Sequence, residues 1–449
     1  MKHLLLVAAL FVAALPALAQ NDTPWTPLKP GTDNITVEAH VPLGPLFSVM
    51  DIDLEQEMSR PYAYVSRGTL GESIERGTDI IDISDPSNPR VVHRWRIEDQ
   101  ELHAGLGGMD VKHFKWDGRY YVVQSLQFAP GPNVDLGAVI LDVTDLPDGD
   151  SVREVARIRA PDMPGGFHNI FIYKHSNGRV LLITTVNGGQ ANVYDMGLAV
   201  SGDVDDALIG TIPVPGPNSR TTGNSVSAGF LFYHDLYAAF HPDTGQDRFY
   251  GGGAGGYYIF DISDIENPEL VITVTGVRGV PWGHTFTPSP DGRWAVGETE
   301  YQYAPLRIFD LKPALDGEVT NINRSISAWT PHWKNLAHNH EVRWPYVFVS
   351  GYHDGLQVFT LMDPHNPKTV AYYDTYTGPR DVGVMGGAVG NGAFGVDVRN
   401  ADGLIVISDM STGFWTFRME GFQGWNGEDW GQPDISSAQK WDEPPPGTN

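Results

Sequence analysis

The chain contains no cysteine, and cations are scarce: 30 Lys and Arg stand against 55 Asp and Glu, a formal net charge of −25. The missing thiols exclude disulfide bridges, thiolate nucleophiles and the sulfur-rich sites of structural zinc. The shortage of positive charge argues against nucleic acid or an anionic lipid surface as a partner. Long apolar runs are missing too, apart from the opening "MKHLLLVAALFVAALPALAQ". There Lys2 and His3 precede an apolar run over Leu4–Leu15 and a small-residue "ALA" at 17–19. This pattern predicts a signal peptide over 1–19 and mature protein from Gln20, periplasmic or secreted and without membrane insertion.

Helical periodicity is the third absence. In its place, 51 Gly and 33 Pro punctuate short apolar runs. One phrase recurs: "TDIIDISDPSNPRVVHRW" (78–95), "GAVILDVTDLPDGDSVREVARI" (137–158) and "GYYIFDISDIENPELVITV" (256–274), with weaker copies at 190–200, 305–322 and 355–373. Each is a strand, a turn rich in Asp, Pro and Asn, and a second strand; further strand pairs precede each copy. Alignment gives seven units of roughly 45–65 residues, the period of a radial repeat. The predicted fold is all-β, a seven-bladed β-propeller over 34–420. Its last unit supplies only three strands, so "NITVEAHVPL" (34–43) is expected to complete that blade and close the ring. Residues 20–33 form an N-terminal extension. The tail 421–449, rich in Trp, Pro, Gly and Asp, is expected to strap along the outside or stay unstructured.

The segments "DIIDISDP", "VILDVTDL" and "YIFDISDI" resemble the LVIVD-repeat family, and the resemblance spans most of 45–420. It implies the propeller fold and says little about chemistry, since propellers host many activities. Asp82, Asp142, Asp195, Asp261 and Asp310 recur at one repeat position, where each is expected to accept turn amide protons within its own blade.

The first strand of every blade lies against the axis of a propeller. In register, the starts of those strands read Met50, Met109, His168, His234, His284, His340 and Gly395. Four consecutive blades thus present histidine beside the axis. His338 shares a strand face with His340, and His353 falls in a loop expected on the same face. Glu298 and Glu300 occupy the corresponding loop one blade earlier. His93, His175, His241 and His365 read as surface residues of outer strands or opposite-face turns. Convergent imidazoles on a fixed backbone suit a transition metal ion, Fe, Cu, Zn or Mn. Their arrangement is similar in geometry, though not in sequence motifs, to the four-histidine metal sites of carotenoid-oxygenase and selenium-binding-protein-like propellers. This reading predicts a monomeric metal-dependent oxidoreductase or hydrolase of a small-molecule substrate, with Glu298 or Glu300 as general base. The alternative is a non-catalytic propeller that binds a surface protein or polysaccharide. "GGGAGG" (251–256) lacks the context of a phosphate loop and fits close packing near the axis. "GPNSRTTGNSVSAG" (216–229) reads as a polar loop in which Arg220 is a candidate anion clamp.

Overall fold

The computed structural model describes residues 30–448 except 70–74, 130, 216–231, 333, 335, 377 and 379–390. The leader, most of the 20–33 extension and the 216–229 insertion with Arg220 lie outside the described residues. The strands assort into seven four-stranded sheets, six of them paired in chain order. Blade 1 runs Val49–Leu54, Tyr62–Arg67, Gly77–Asp82 and Arg90–Arg96 from the axis outward. First strands of neighbouring blades touch one another around the axis. The chain is a seven-bladed β-propeller.

Burial explains the sequence pattern. Every residue of Tyr62–Arg67 and Gly77–Asp82 is buried, whereas no residue of the outer strand Arg90–Arg96 is. The inner strands are covered on both faces by neighbouring blades, so they read as continuous apolar runs rather than alternating ones. Aromatic wedges fill the spaces between blades: Phe171 meets Tyr237 at 5.1 Å and Tyr257 stacks on Phe286 at 4.5 Å between ring centroids. Each such buried ring contributes about 1.5–3 kcal/mol of transfer free energy.

The repeated aspartates have the turn role expected of them. Asp82 Oδ1 accepts the Ser84 amide at 2.8 Å, Asp261 that of Ser263 at 2.9 Å and Asp310 that of Lys312 at 3.0 Å. In blade 6, Thr360 takes this position and accepts from Met362 at 3.2 Å. The ring also closes as expected. Ile35–Val41 pairs with Gly413–Met419, from Ile35 opposite Met419 to Val41 opposite Phe414, as the outer strand of blade 7.

The tail departs from expectation, because 436–441 cross beneath the pore instead of strapping the outside. Asn400 Nδ2 donates to Ser436 Oγ at 3.1 Å, and Ser437 Oγ donates to Glu341 Oε2. Lys174 Nζ donates to the Trp441 carbonyl at 2.8 Å, and Lys115 Nζ to Asp442 at 2.6 Å. These partners come from blades 2, 3, 6 and 7, so the segment bridges the mouth. It closes a narrow axial cavity of about 80 Å³ whose walls include Asp51, Asp110 and Asp235. The segment pairs with a rim whose residues are far apart in sequence, and Trp441 packs against the core between blades 2 and 3.

Candidate metal centre

Backbone hydrogen bonds define which axial residues are level. His284 N donates to Glu298 O at 2.9 Å, and His338 N donates to Ser350 O at 2.9 Å. His338, two residues before His340, is therefore the counterpart of His284. By the same strand pairings the level position reads Met50, Met109, His168, His234, His284, His338 and Phe394 around the ring. The sequence register ran two residues late in blade 6 and one late in blade 7. His340 instead matches Phe286, a position that packs into the blade.

The four level rings form an arc. Centroids are 4.6 Å apart from His168 to His234, 4.2 Å from His234 to His284 and 5.2 Å from His284 to His338. Phe394 stacks on His338 at 3.6 Å and ends the arc. The rest of the circle is an apolar cluster of Met50, Met109, Phe394, Tyr352, Met410 and Leu336. His284 is held there by a close backbone approach from blade 4. A Cβ on Gly252 would stand 1.6 Å from the His284 carbonyl oxygen, so within 251–256 it is Gly252 that allows this close approach at the axis.

Three of the rings have one nitrogen fixed from outside the arc. His168 Nδ1 lies 2.8 Å from Gln127 Oε1, and His338 Nδ1 lies 2.7 Å from the Phe394 carbonyl. Both partners are acceptors, so each Nδ1 carries the proton and each Nε2 keeps its lone pair. His284 Nδ1 meets Thr285 Oγ1 at 3.0 Å, and that hydroxyl lies 2.6 Å from Asp235 Oδ2. The hydroxyl proton goes to the carboxylate, leaving Thr285 to accept from the imidazole. Among the described residues, His284 Nε2 and His234 Nδ1 have no hydrogen-bond partner. Outside partners that fix ring and tautomer are what metal-ligating histidines usually show.

Glu300 completes the group. Its Oε2 lies 3.5 Å from His284 Nε2 and 3.8 Å from His234 Nε2, and Tyr352 OH donates to its Oε1 at 2.5 Å. One ligand atom from each of His234, His284 and Glu300 lies within 4.8 Å of the others. Two donors on one ion at about 2.1 Å can stand at most about 4.2 Å apart. Side-chain rotations of a few tenths of an ångström close that gap.

Burial keeps the imidazoles neutral. It lowers His168 to about 4; it lowers His338 to about 3, against the opposing pull of the Phe394 carbonyl. His234 and His284 are pushed well below the ordinary range by burial and then by the neighbouring rings. Burial also raises the Glu300 carboxyl to about 7, with the Tyr352 hydrogen bond opposing.

The other sequence candidates lie elsewhere. His340 Nδ1 sits 3.3 Å from Glu298 Oε2; both residues are buried, and His340 lies two strand positions below the arc. Glu298 therefore faces His340 and not the four rings; burial, then Glu300, holds its carboxyl well above the usual range. His353 stacks on Tyr376 at 4.7 Å. His175 and His241, expected on the surface, are buried: His175 Nε2 bonds the Ile262 carbonyl at 3.0 Å and His241 Nε2 the Tyr250 hydroxyl at 2.8 Å. Tyr352, Gln127 and Thr285 were missed by sequence reasoning. Gln127 and Tyr352 lie at or beyond the ends of second strands, where Glu300 also sits, and that shared place was the available signal.

No family model matches the chain, and no curated protein matches it. Among solved structures it is similar to the WD40 β-propeller domain of Doa1, with a TM-score of 0.55 and 9% identity. That match covers 87% of this chain and 99% of the other. At this identity the likeness is one of fold. The LVIVD resemblance remains one of repeat phrasing.

Proposed function

We propose that this is an exported propeller whose axial histidines hold one transition metal ion, and that it acts as an oxidoreductase or hydrolase on a small molecule. One observation carries the reading: equivalent positions of four consecutive blades set neutral imidazoles side by side, and at the middle of that arc the ligand atoms of His234, His284 and Glu300 lie within 4.8 Å of one another with His284 Nε2 unbonded. A water-lined channel has no need for three fixed rings. His234, His284 and Glu300 would hold the ion, with His168 and His338 on either side of them as further donors and Glu300 also able to carry a proton. All-nitrogen and carboxylate donors suit Fe, Cu, Zn or Mn, and such an ion would supply Lewis-acid or redox chemistry.

The chain's own groups prepare that chemistry. Four rings drawn from fixed strand starts cost little reorganisation on binding. A Glu300 carboxyl that titrates near 7 and is oriented by Tyr352 is suited to take or give a proton at the site. Export is part of the same proposal and rests on the leader, so N-terminal sequencing of protein from the cell exterior should begin at Gln20.

The deciding test is elemental analysis of protein purified without chelator. About one transition metal per chain supports the centre, in keeping with single-ion sites. Wild-type protein without metal, or an unchanged content after replacing both His234 and His284 with Ala, would leave the non-catalytic binding module as the better account.

A further inference from the structure

The arc is not enclosed on the side of blades 2, 3 and 4. There the described residues line a cavity of about 620 Å³ that reaches His168 and His234. Its walls include Leu106, Phe128, Val134, Pro164, Val186 and Phe232. None of the described lining residues is Asp, Glu, Lys or Arg, in a chain where 19% of residues are charged. Three of the polar side chains in the lining are each engaged through one atom. Gln127 Oε1 lies 2.8 Å from His168, Thr185 Oγ1 accepts the Asn169 amide at 2.9 Å, and Asn187 Nδ2 reaches the Pro164 carbonyl at 3.4 Å. A charged ligand placed here would lose hydration without gaining an oppositely charged partner among the described lining residues, which costs several kcal/mol. An apolar ligand would gain about 25 cal/mol for each Å² it removes from water.

We propose that this cavity binds an uncharged, largely apolar organic molecule of two or three rings, and sets it with one end over His168 and His234. The volume falls in the range that encloses ligands of drug size. The opposite pore mouth is crossed by Ser436–Trp441, so such a molecule enters and leaves on the histidine face. As a substrate assignment the inference rests on the metal-centre reading; as a binding site it does not. Glu300 Oε2, 3.8 Å from His234 Nε2, stands next to the end of the cavity that His234 lines, so the proton-handling group is within reach of one end of the ligand.

The test uses the neutral fluorophore N-phenyl-1-naphthylamine and its sulfonate, 1-anilinonaphthalene-8-sulfonate, titrated into the full chain with metal content measured on the same samples. The expected result is saturable one-site binding of the neutral probe, at least tenfold tighter than the sulfonate. Val134→Trp should fill the half-buried wall and weaken the probe at least tenfold while metal content stays the same. Leu106→Trp, at another point of the lining, should do likewise, which guards against one variant folding poorly. His284→Ala should keep the probe while losing metal. Absence of saturable neutral-probe binding, equal affinity for the sulfonate, or indifference to both tryptophan variants overturns the inference even if metal is present. Probe binding that behaves as stated in wild-type protein lacking metal upholds the cavity and defeats the centre.

Discussion

Blades 3 to 6 and blades 7, 1 and 2 place different residues at one backbone position. The first group offers His168, His234, His284 and His338; the second offers Phe394, Met50 and Met109, which close into an apolar cluster. The strands, pairings and depth are the same, so the fold does not demand imidazoles there. Met50 is fully buried and Met109 nearly so, and these blades fill the axis with adaptable thioethers. Packing alone is satisfied by Met and Phe. The histidines need another reason, and their clustering supplies it: consecutive blades set the rings 4.2–5.2 Å apart between centroids, close enough to share one ion.

The largest effect should come from breaking the histidine half. His284→Ala should lower metal content from about one per chain to below ~0.1, read by mass spectrometry, since loss of a central donor removes most of the binding free energy. Far-UV spectra should not change. Next comes the distinction within blade 6. His338→Ala should weaken metal binding at least tenfold, whereas His340→Phe, which copies Phe286 of blade 5, should leave it within about twofold. Equal losses in the two would restore the register read from sequence.

Acid should separate this centre from an exposed histidine cluster. Protons compete for an imidazole lone pair only below its own titration point, which is about 4 for His168 and about 3 for His338. Metal should therefore stay bound at pH 5.5, where ordinary imidazoles near 6.5 are mostly protonated. Glu300 acts with the opposite sign in metal-free protein. Its folded value of about 7 lies above an unfolded value near 4.5, so its contribution is whole below pH 4.5 and is lost as pH rises through 7. At about 1.4 kcal/mol per unit the loss is roughly 3.5 kcal/mol. Glu300→Gln should flatten that part of the metal-free melting profile.

The smallest effect belongs to the methionine half. Met109→Leu keeps volume and apolarity, and should cost less than about 1.5 kcal/mol with metal unchanged. A large loss of metal there would show that the two halves are not independent.

Much of this was legible in the sequence because a radial repeat turns spacing into position. The phrase "DISDP" marked the turns, and counting from it placed His168, His234 and His284 correctly. Blade 6 was ambiguous for a physical reason. His338 and His340 share a strand face, and only the buried partner Glu298 shows why an imidazole is tolerated at the apolar position. Tyr352 was hidden for a similar reason: one hydroxyl bond, unreadable from composition, sets its part. The path of 436–441 depended on contacts with blades 2, 3, 6 and 7, which no local pattern in that segment encodes.

The seam between Ile35–Val41 and Gly413–Met419 has a kinetic consequence. A linear stack of repeats can fray from its ends, losing units one at a time. A circle stitched from the two extremes of its chain has no free end to fray, and its last joint spans nearly the whole sequence. Such closure is slow to form, because distant segments must meet before either is rewarded. Once made, it should force the blades to melt together, so the chamber and its imidazoles would be lost in a single step.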